Sequence, residues 1–83
     1  MPRGGIAWAK KLWSFQRVTG LSEREVEGLR LLARGHTMKQ IAAQLIVSYK
    51  TVDRHVQNIY TKINVSTRAG ATLFAMENRL LEL

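Results

Sequence analysis

The chain has 83 residues, 46% of them hydrophobic, which allows one folded domain with a modest core. It has one proline and no cysteine, which excludes a proline-rich linker, disulfides and thiolate metal sites, so we expect a cytoplasmic protein. The net charge of +7 and the isoelectric point near 10.6 are typical of a nucleic-acid-binding domain, although a merely soluble basic protein is the alternative.

The positive charge is least opposed in the middle of the chain. Between His36 and Arg68 the only acid is Asp53. The basic residues of this stretch are Lys39, Lys50, Arg54, Lys62 and Arg68. We expect an anionic partner to dock here. No apolar stretch approaches the roughly 18 residues of a membrane span, and the first residues lack the apolar run of a signal peptide, so no membrane partner is expected.

Residues 1–20 form a basic, aromatic extension, which we separate from a domain at 21–83. Trp8, Leu12 and Phe15 lie at helical spacing, which permits a short extra helix over residues 6–18. Such a segment would pack on this domain, on a second copy or on a neighbouring domain. A helix lying on a membrane surface is the less favoured alternative.

Four further helices are predicted, so the fold class is all-α. Ser22 and Glu25 form a capping box at the start of the first helix, and Gly35 is placed to end it. Thr37 begins a second, short helix that ends near Leu45, and Gln40 stands at the capping-box position of this helix. The predicted buried residues of these two helices are Val26, Leu29, Leu32, Ala33, Ile41, Ala42 and Leu45. Gly28 within the first helix indicates a close helix contact.

The third helix begins at Ser48 and runs to about Lys62, after an apolar connection formed by Ile46 and Val47. Asn64 tolerates the left-handed conformation that ends a helix. Ser66 or Thr67 caps a fourth helix, which we place roughly at residues 68–78.

A short helix, a tight turn and a longer helix form a helix-turn-helix, whose longer helix enters the major groove of double-stranded DNA. One face of the third helix is apolar, and we expect it to be buried: Val52, Val56, Ile59 and Ile63. The opposite face carries side chains suited to base edges, and the predicted base contacts are Lys50, Arg54, Gln57 and Asn58, with Thr61 beside them. A solvated polar face is the alternative, but that reading predicts mixed charges, and acids are nearly absent here.

Phosphate contacts are predicted along the flank of this helix and at the start of the second one: Thr37, Lys39, Thr51, His55 and Lys62. Asp53 lies on the other flank, where it could accept a cytosine amino group or, as we favour, orient Arg54 or Lys50. No metal site is expected, because neither His36 nor His55 has a carboxylate or thiol at ligand spacing.

The motifs Leu21-Ser-Glu-Arg-Glu, Ala33-Arg-Gly, Lys39-Gln-Ile-Ala and Val47-Ser-Tyr-Lys-Thr-Val, followed by further matching positions up to Arg68, resemble the LuxR/NarL-type helix-turn-helix domain. The resemblance covers about residues 21–82 without gaps. It implies a four-helix, LuxR-type output domain of a bacterial transcription regulator, as in response regulators, whose third helix contacts the major groove.

The chain departs from the family pattern at three positions. Asp53 stands where many members carry lysine or arginine, so one basic DNA contact is missing. Gln40 replaces the usual acid, which weakens a capping charge. Gly28 replaces a residue with higher helix propensity.

The resemblance also implies a homodimer through the fourth helix on a near-palindromic site. This helix has two small or apolar stripes, one containing Ala71, Phe74 and Ala75. We assign dimerisation to the other stripe, Ala69, Leu73 and Met76, while a monomer with an apolar surface is the alternative. RNA polymerase is a further candidate partner.

An enzyme is not expected, because there is no glycine-rich phosphate loop, no nucleophile with a placed base and no paired carboxylates; no cofactor is expected either. The second hypothesis is a protein-interaction module that uses the helix-turn-helix surface to bind or block a partner regulator. A promoter-binding domain of a sigma factor shares the fold but would need a longer chain.

Overall fold

The computed structural model describes residues 15–82. Residues 15–19 are helical and are followed by α1 (Glu23–Ala33), α2 (Met38–Leu45), α3 (Tyr49–Ile63), α4 (Arg68–Glu77) and a 3₁₀ turn (Leu80–Glu82). This part of the chain contains no strand, and the all-α prediction is confirmed.

The ends of α1 form as their residue types predict. The Ser22 hydroxyl accepts a hydrogen bond from the Glu25 amide, while the Glu25 carboxylate accepts one from the Ser22 amide. Gly35 has a φ of +88°, and the amides of Gly35 and His36 donate to the carbonyls of Leu32 and Leu31. These two bonds form a Schellman motif, which requires a left-handed residue and therefore favours glycine.

The remaining helices begin at hydroxyl caps. Thr37 and Gln40 form the predicted capping box of α2, Ser48 caps α3 and Thr67 caps α4. Asn64 ends α3 in the left-handed region, with a φ of +60°, as predicted. The observed ends of α3 and α4 differ from the predicted ones by one residue, within the ordinary uncertainty of a helix terminus.

One core cluster joins α1, α4 and the second half of α3. Its buried members are Phe15, Leu21, Val26, Leu29, Ile59, Ile63, Ala71, Ala75 and Leu80. Phe15 belongs to the basic extension, and its ring packs against that of Phe74 with the centroids 6.0 Å apart. The end of the extension thus packs on this domain, whereas Trp8, Leu12 and the rest of the predicted extra helix lie outside the described residues.

A second cluster holds the helix-turn-helix together. It contains Leu31, Leu32, Ile41, Leu45, Val52 and Val56. Ala42 and Val47 are half-buried and pack against it, which lets α2 and α3 approach closely. Leu31 is buried although it lies outside the predicted apolar stripe of α1, because α1 packs on both clusters and so needs two apolar sides.

Gly28 lies at the crossing of α1 and α3. A β-carbon at this position would lie 3.4 Å from Cδ1 of Ile59. The close helix contact predicted from the sequence is therefore present.

Candidate nucleic-acid interface

The turn between α2 and α3 consists of Ile46, Val47 and the capping residue Ser48. The Val47 amide donates to the Ala42 carbonyl at 3.0 Å, which closes the end of α2. Ile46 has a φ of +55°, and its side chain is 89% exposed. Of the two residues in the predicted apolar connection, only Val47 packs inward, whereas Ile46 is exposed to solvent.

The third helix has the two faces that its sequence predicts. Val52, Val56, Ile59 and Ile63 are all buried. The side chains predicted to contact bases, Lys50, Arg54, Gln57 and Asn58, are all exposed, as is Thr61. They share one continuous surface of α3, because positions three or four residues apart lie on the same side of a helix.

The residues predicted to contact phosphates differ in how far they are exposed to solvent. Thr37 and Lys39 are exposed at the start of α2, where backbone amides attract anions. The Thr51 hydroxyl lies 2.9 Å from that of Ser48 and is half-buried. His55 is also half-buried, and its Nδ1 is buried without a hydrogen-bond partner among the described residues.

Lys62 forms an ion pair that the sequence did not reveal. Its Nζ lies 2.8 Å from Oε1 of Glu25, the carboxylate that also caps α1. Burial raises the pKa of the Glu25 carboxyl, but hydrogen bonds from Lys62 and Ser22 and the charge of Lys62 outweigh burial and lower the pKa below 4.5. A phosphate that binds the ammonium group of Lys62 would therefore share this group with the Glu25 carboxylate.

Arg68 also binds within the domain. Its guanidinium donates to the carbonyls of Leu32 and His36, which lie at the end of α1. Two of the five basic residues of the middle segment therefore stabilise the fold. Lys39, Lys50 and Arg54 form no ion pair with any residue that the structure describes.

An open groove separates the start of α1 from the exposed side of α3. Its lining includes Arg24, Arg54, His55, Asn58 and Lys62. Arg24 was not among the predicted site residues, and its Nη1 donates to the Leu45 carbonyl at 3.2 Å. The sequence has no signal for this placement, because Arg24 reaches the groove through the packing of α1 on α3.

The two stripes of α4 differ in burial, as expected. Ala71 and Ala75 are fully buried and Phe74 is half-buried, whereas Leu73 and Met76 are 56% and 58% exposed. Ala69 is exposed on the same side. The dimerisation assignment of this outer stripe stays a prediction.

Within residues 15–82, histidine and acidic side chains form no group of three or more that could hold a metal ion. Nor is any helix of this part of the chain long and apolar enough to cross a membrane.

The fold and the exposed polar face of α3 define a helix-turn-helix protein. Residues 19–75 match the family model described as bacterial regulatory proteins, luxR family, and the chain belongs to this family. The family resemblance seen in the sequence motifs is thereby confirmed.

Among curated proteins, the chain is similar to the probable transcriptional regulatory protein NarL of Mycobacterium tuberculosis, with 48% identity over 79 residues, 95% of this chain and 37% of that protein. It is 43% identical over 61 residues to the transcriptional regulatory protein LiaR of Bacillus subtilis, 74% of this chain and 29% of that protein. The oxygen regulatory protein NreC of Staphylococcus epidermidis is 44% identical over 62 residues, 75% of this chain and 28% of that protein.

The chain thus spans between about a quarter and two fifths of the length of these relatives. No solved structure matches it significantly.

Proposed function

We propose that the chain binds double-stranded DNA as the output domain of a bacterial transcription regulator and places α3 in the major groove. One observation carries this proposal. The exposed face of α3 presents Lys50, Arg54, Gln57 and Asn58 together, directly opposite its buried apolar face. A major groove admits one helix, and these side chains have the hydrogen-bonding groups that base edges require.

The distribution of charge also supports the placement of α3 in the major groove. Lys39, Lys50 and Arg54 have no ionic partner among the described residues, so their charges are available to phosphates. Thr37 and Lys39 would contact the backbone at the start of α2, with Thr51, His55 and Lys62 along the flank of α3. Arg24 adds a guanidinium to the groove beside α3, and we include it among the phosphate contacts.

The domain acts as a homodimer in this proposal, with Ala69, Leu73 and Met76 in the seam. Two copies would place their α3 helices in successive major grooves of a near-palindromic site. The bound dimer would then recruit or obstruct RNA polymerase. The exposure of Leu73 and Met76 supports the assignment of the seam.

The experiment that tests this function is a titration of the chain with a randomised duplex pool at two salt concentrations, followed by sequencing of the bound fraction. We expect an enriched, near-palindromic motif and binding that weakens steeply with salt, because each neutralised phosphate releases counterions. Absence of binding at low salt would contradict the proposal and favour the protein-interaction module.

Substitutions in the two helices separate base contacts from phosphate contacts. Arg54→Ala should weaken binding to the preferred site by about 1–3 kcal/mol and relax the preference at one position. Lys39→Ala should weaken binding to every sequence alike and reduce the salt dependence. Equal losses on all sequences for Arg54→Ala would instead identify Arg54 as a phosphate contact.

A further inference from the structure

Asp53 is an exposed acid on the proposed DNA-contacting helix. It lies three residues after Lys50 and four before Gln57, and it is therefore a neighbour of both on the surface of α3. Its carboxylate forms no ion pair or hydrogen bond with any residue between 15 and 82. The role favoured from the sequence, orienting Arg54 or Lys50, has no such contact to support it.

An unpaired carboxylate at this place opposes non-specific binding. It would lie in the same groove as Lys50 and Arg54 and would repel the phosphates that those residues attract. The neighbouring cations do not neutralise it through a direct contact. A carboxylate does not bind a phosphate, so the direct DNA contact that is open to Asp53 in the groove is with a base.

The hydrogen-bonding capacity of the Asp53 carboxylate determines which base it can contact favourably. An ionised carboxylate only accepts hydrogen bonds. In the major groove, guanine and thymine present acceptors, and adenine presents an acceptor beside its amino donor, whereas cytosine presents an amino donor. We propose that Asp53 is a specificity-determining residue that accepts a hydrogen bond from the N4 amino group of a cytosine in the binding site. This inference rests on the proposed function.

The test compares the intact 83-residue chain with its Asp53→Ala and Asp53→Asn variants in the randomised-pool selection. Each motif position is then changed singly in a defined duplex, and the dissociation constants are measured. Glu27→Gln is the matched control, because it removes one negative charge from an exposed side chain on α1, outside the proposed interface. Circular dichroism confirms that each variant is folded.

We expect the wild-type chain to prefer cytosine at one position by about tenfold, within the usual cost of a mismatched base pair. Asp53→Ala should reduce this preference to about twofold or less, while its affinity for non-specific duplex rises. Asp53→Asn should shift the preference toward adenine, because an amide pairs with the adenine donor and acceptor. Glu27→Gln should keep the cytosine preference.

Two results would overturn the inference. If the wild-type chain binds an enriched motif and Asp53→Ala selects the same bases with the same preferences, Asp53 does not contact a base, although the DNA-binding function stands. If the wild-type chain binds no duplex at low salt, the proposed function fails and this inference fails with it.

Discussion

At the scale of single residues, Ile46 combines two unfavourable features. A β-branched residue with positive φ is a conformational outlier, and the 89% exposed side chain recovers little burial in return. The left-handed residues after α1 and α3 are Gly35 and Asn64, types that adopt this conformation readily, whereas Arg79 after α4 has a φ of +56° but is not β-branched. The strain at Ile46 lies in the turn directly before the proposed DNA-contacting helix.

Replacing Ile46 by glycine should stabilise the domain by about 1 kcal/mol. Relief of the left-handed conformation contributes roughly 1–2 kcal/mol, and the greater freedom of glycine in the unfolded chain costs roughly 0.5–1 kcal/mol. Urea denaturation measures the change, with Asn64→Gly as the control that should alter stability by less than about 0.5 kcal/mol. A lower unfolding midpoint for Ile46→Gly would show that the exposed isoleucine stabilises the turn.

The Glu25 carboxyl should make the domain less stable in acid. Its pKa is lower in the folded state than 4.5, so the folded state gains stability from the ionised carboxylate above that pH. This contribution is lost as the pH falls from about 4.5 through the folded-state pKa.

Glu25→Gln should therefore flatten the decrease in stability between about pH 7 and pH 3, as followed by thermal unfolding. The control is Glu27→Gln, an exposed acid on the same helix, which should leave the acid-induced decrease close to that of the wild type. Equal acid sensitivity of the wild type and Glu25→Gln would contradict the role given to the Lys62 ion pair.

At the scale of elements, α1 and α3 cross at a position occupied by glycine. The free volume there is small, since a β-carbon on Gly28 would meet Cδ1 of Ile59 at 3.4 Å, an ordinary contact distance. Alanine therefore fits, whereas a longer side chain would push the helices apart. The crossing matters for function because α1 supports the buried face of α3.

Gly28→Ala should stabilise the domain by about 0.5–1 kcal/mol, because alanine has the higher helix propensity. Gly28→Leu should destabilise it by about 1–3 kcal/mol through overpacking. Denaturant unfolding of both variants measures these opposite effects. If Gly28→Ala proves destabilising, the crossing is tighter than an ordinary contact and glycine is required there.

At the scale of the whole molecule, the exposed stripe of α4 is the proposed dimer seam, so in this proposal it sets whether one chain or two bind DNA. Leu73 and Met76 are more than half exposed, while Ala71 and Ala75 on the inner side are fully buried. The proposed seam therefore lies away from the core. A substitution on the outer side should change association without changing the fold.

Leu73→Glu should shift the chain toward monomer, because a pair of like charges would face each other across a two-fold seam. Analytical ultracentrifugation over a concentration series measures the shift, and affinity for a palindromic site should fall by tenfold or more. Gln44→Glu, an equal change of charge on the exposed side of α2, is the control for the association constant measured without DNA. An unchanged association constant for Leu73→Glu would exclude this stripe as the seam.

Much of the fold could be predicted from local sequence features, because they act within a few residues. The capping boxes at Ser22 and Thr37, the left-handed Asn64 and the apolar face of α3 all depend on neighbours in the chain. Helical periodicity placed Lys50, Arg54, Gln57 and Asn58 on one surface for the same reason. The family also follows from sequence, since its motif is continuous in the chain.

Only the tertiary structure decided which charges are available to a partner. Lys62 pairs with Glu25 across 37 residues, and Arg68 binds the end of α1, so neither charge is free in the way that composition implied. The exposure of Ile46 and the groove beside Arg24 likewise depend on how separate helices pack. Helical periodicity specifies the face of the helix on which a side chain lies. Which group that side chain contacts depends on how helices distant in sequence pack together.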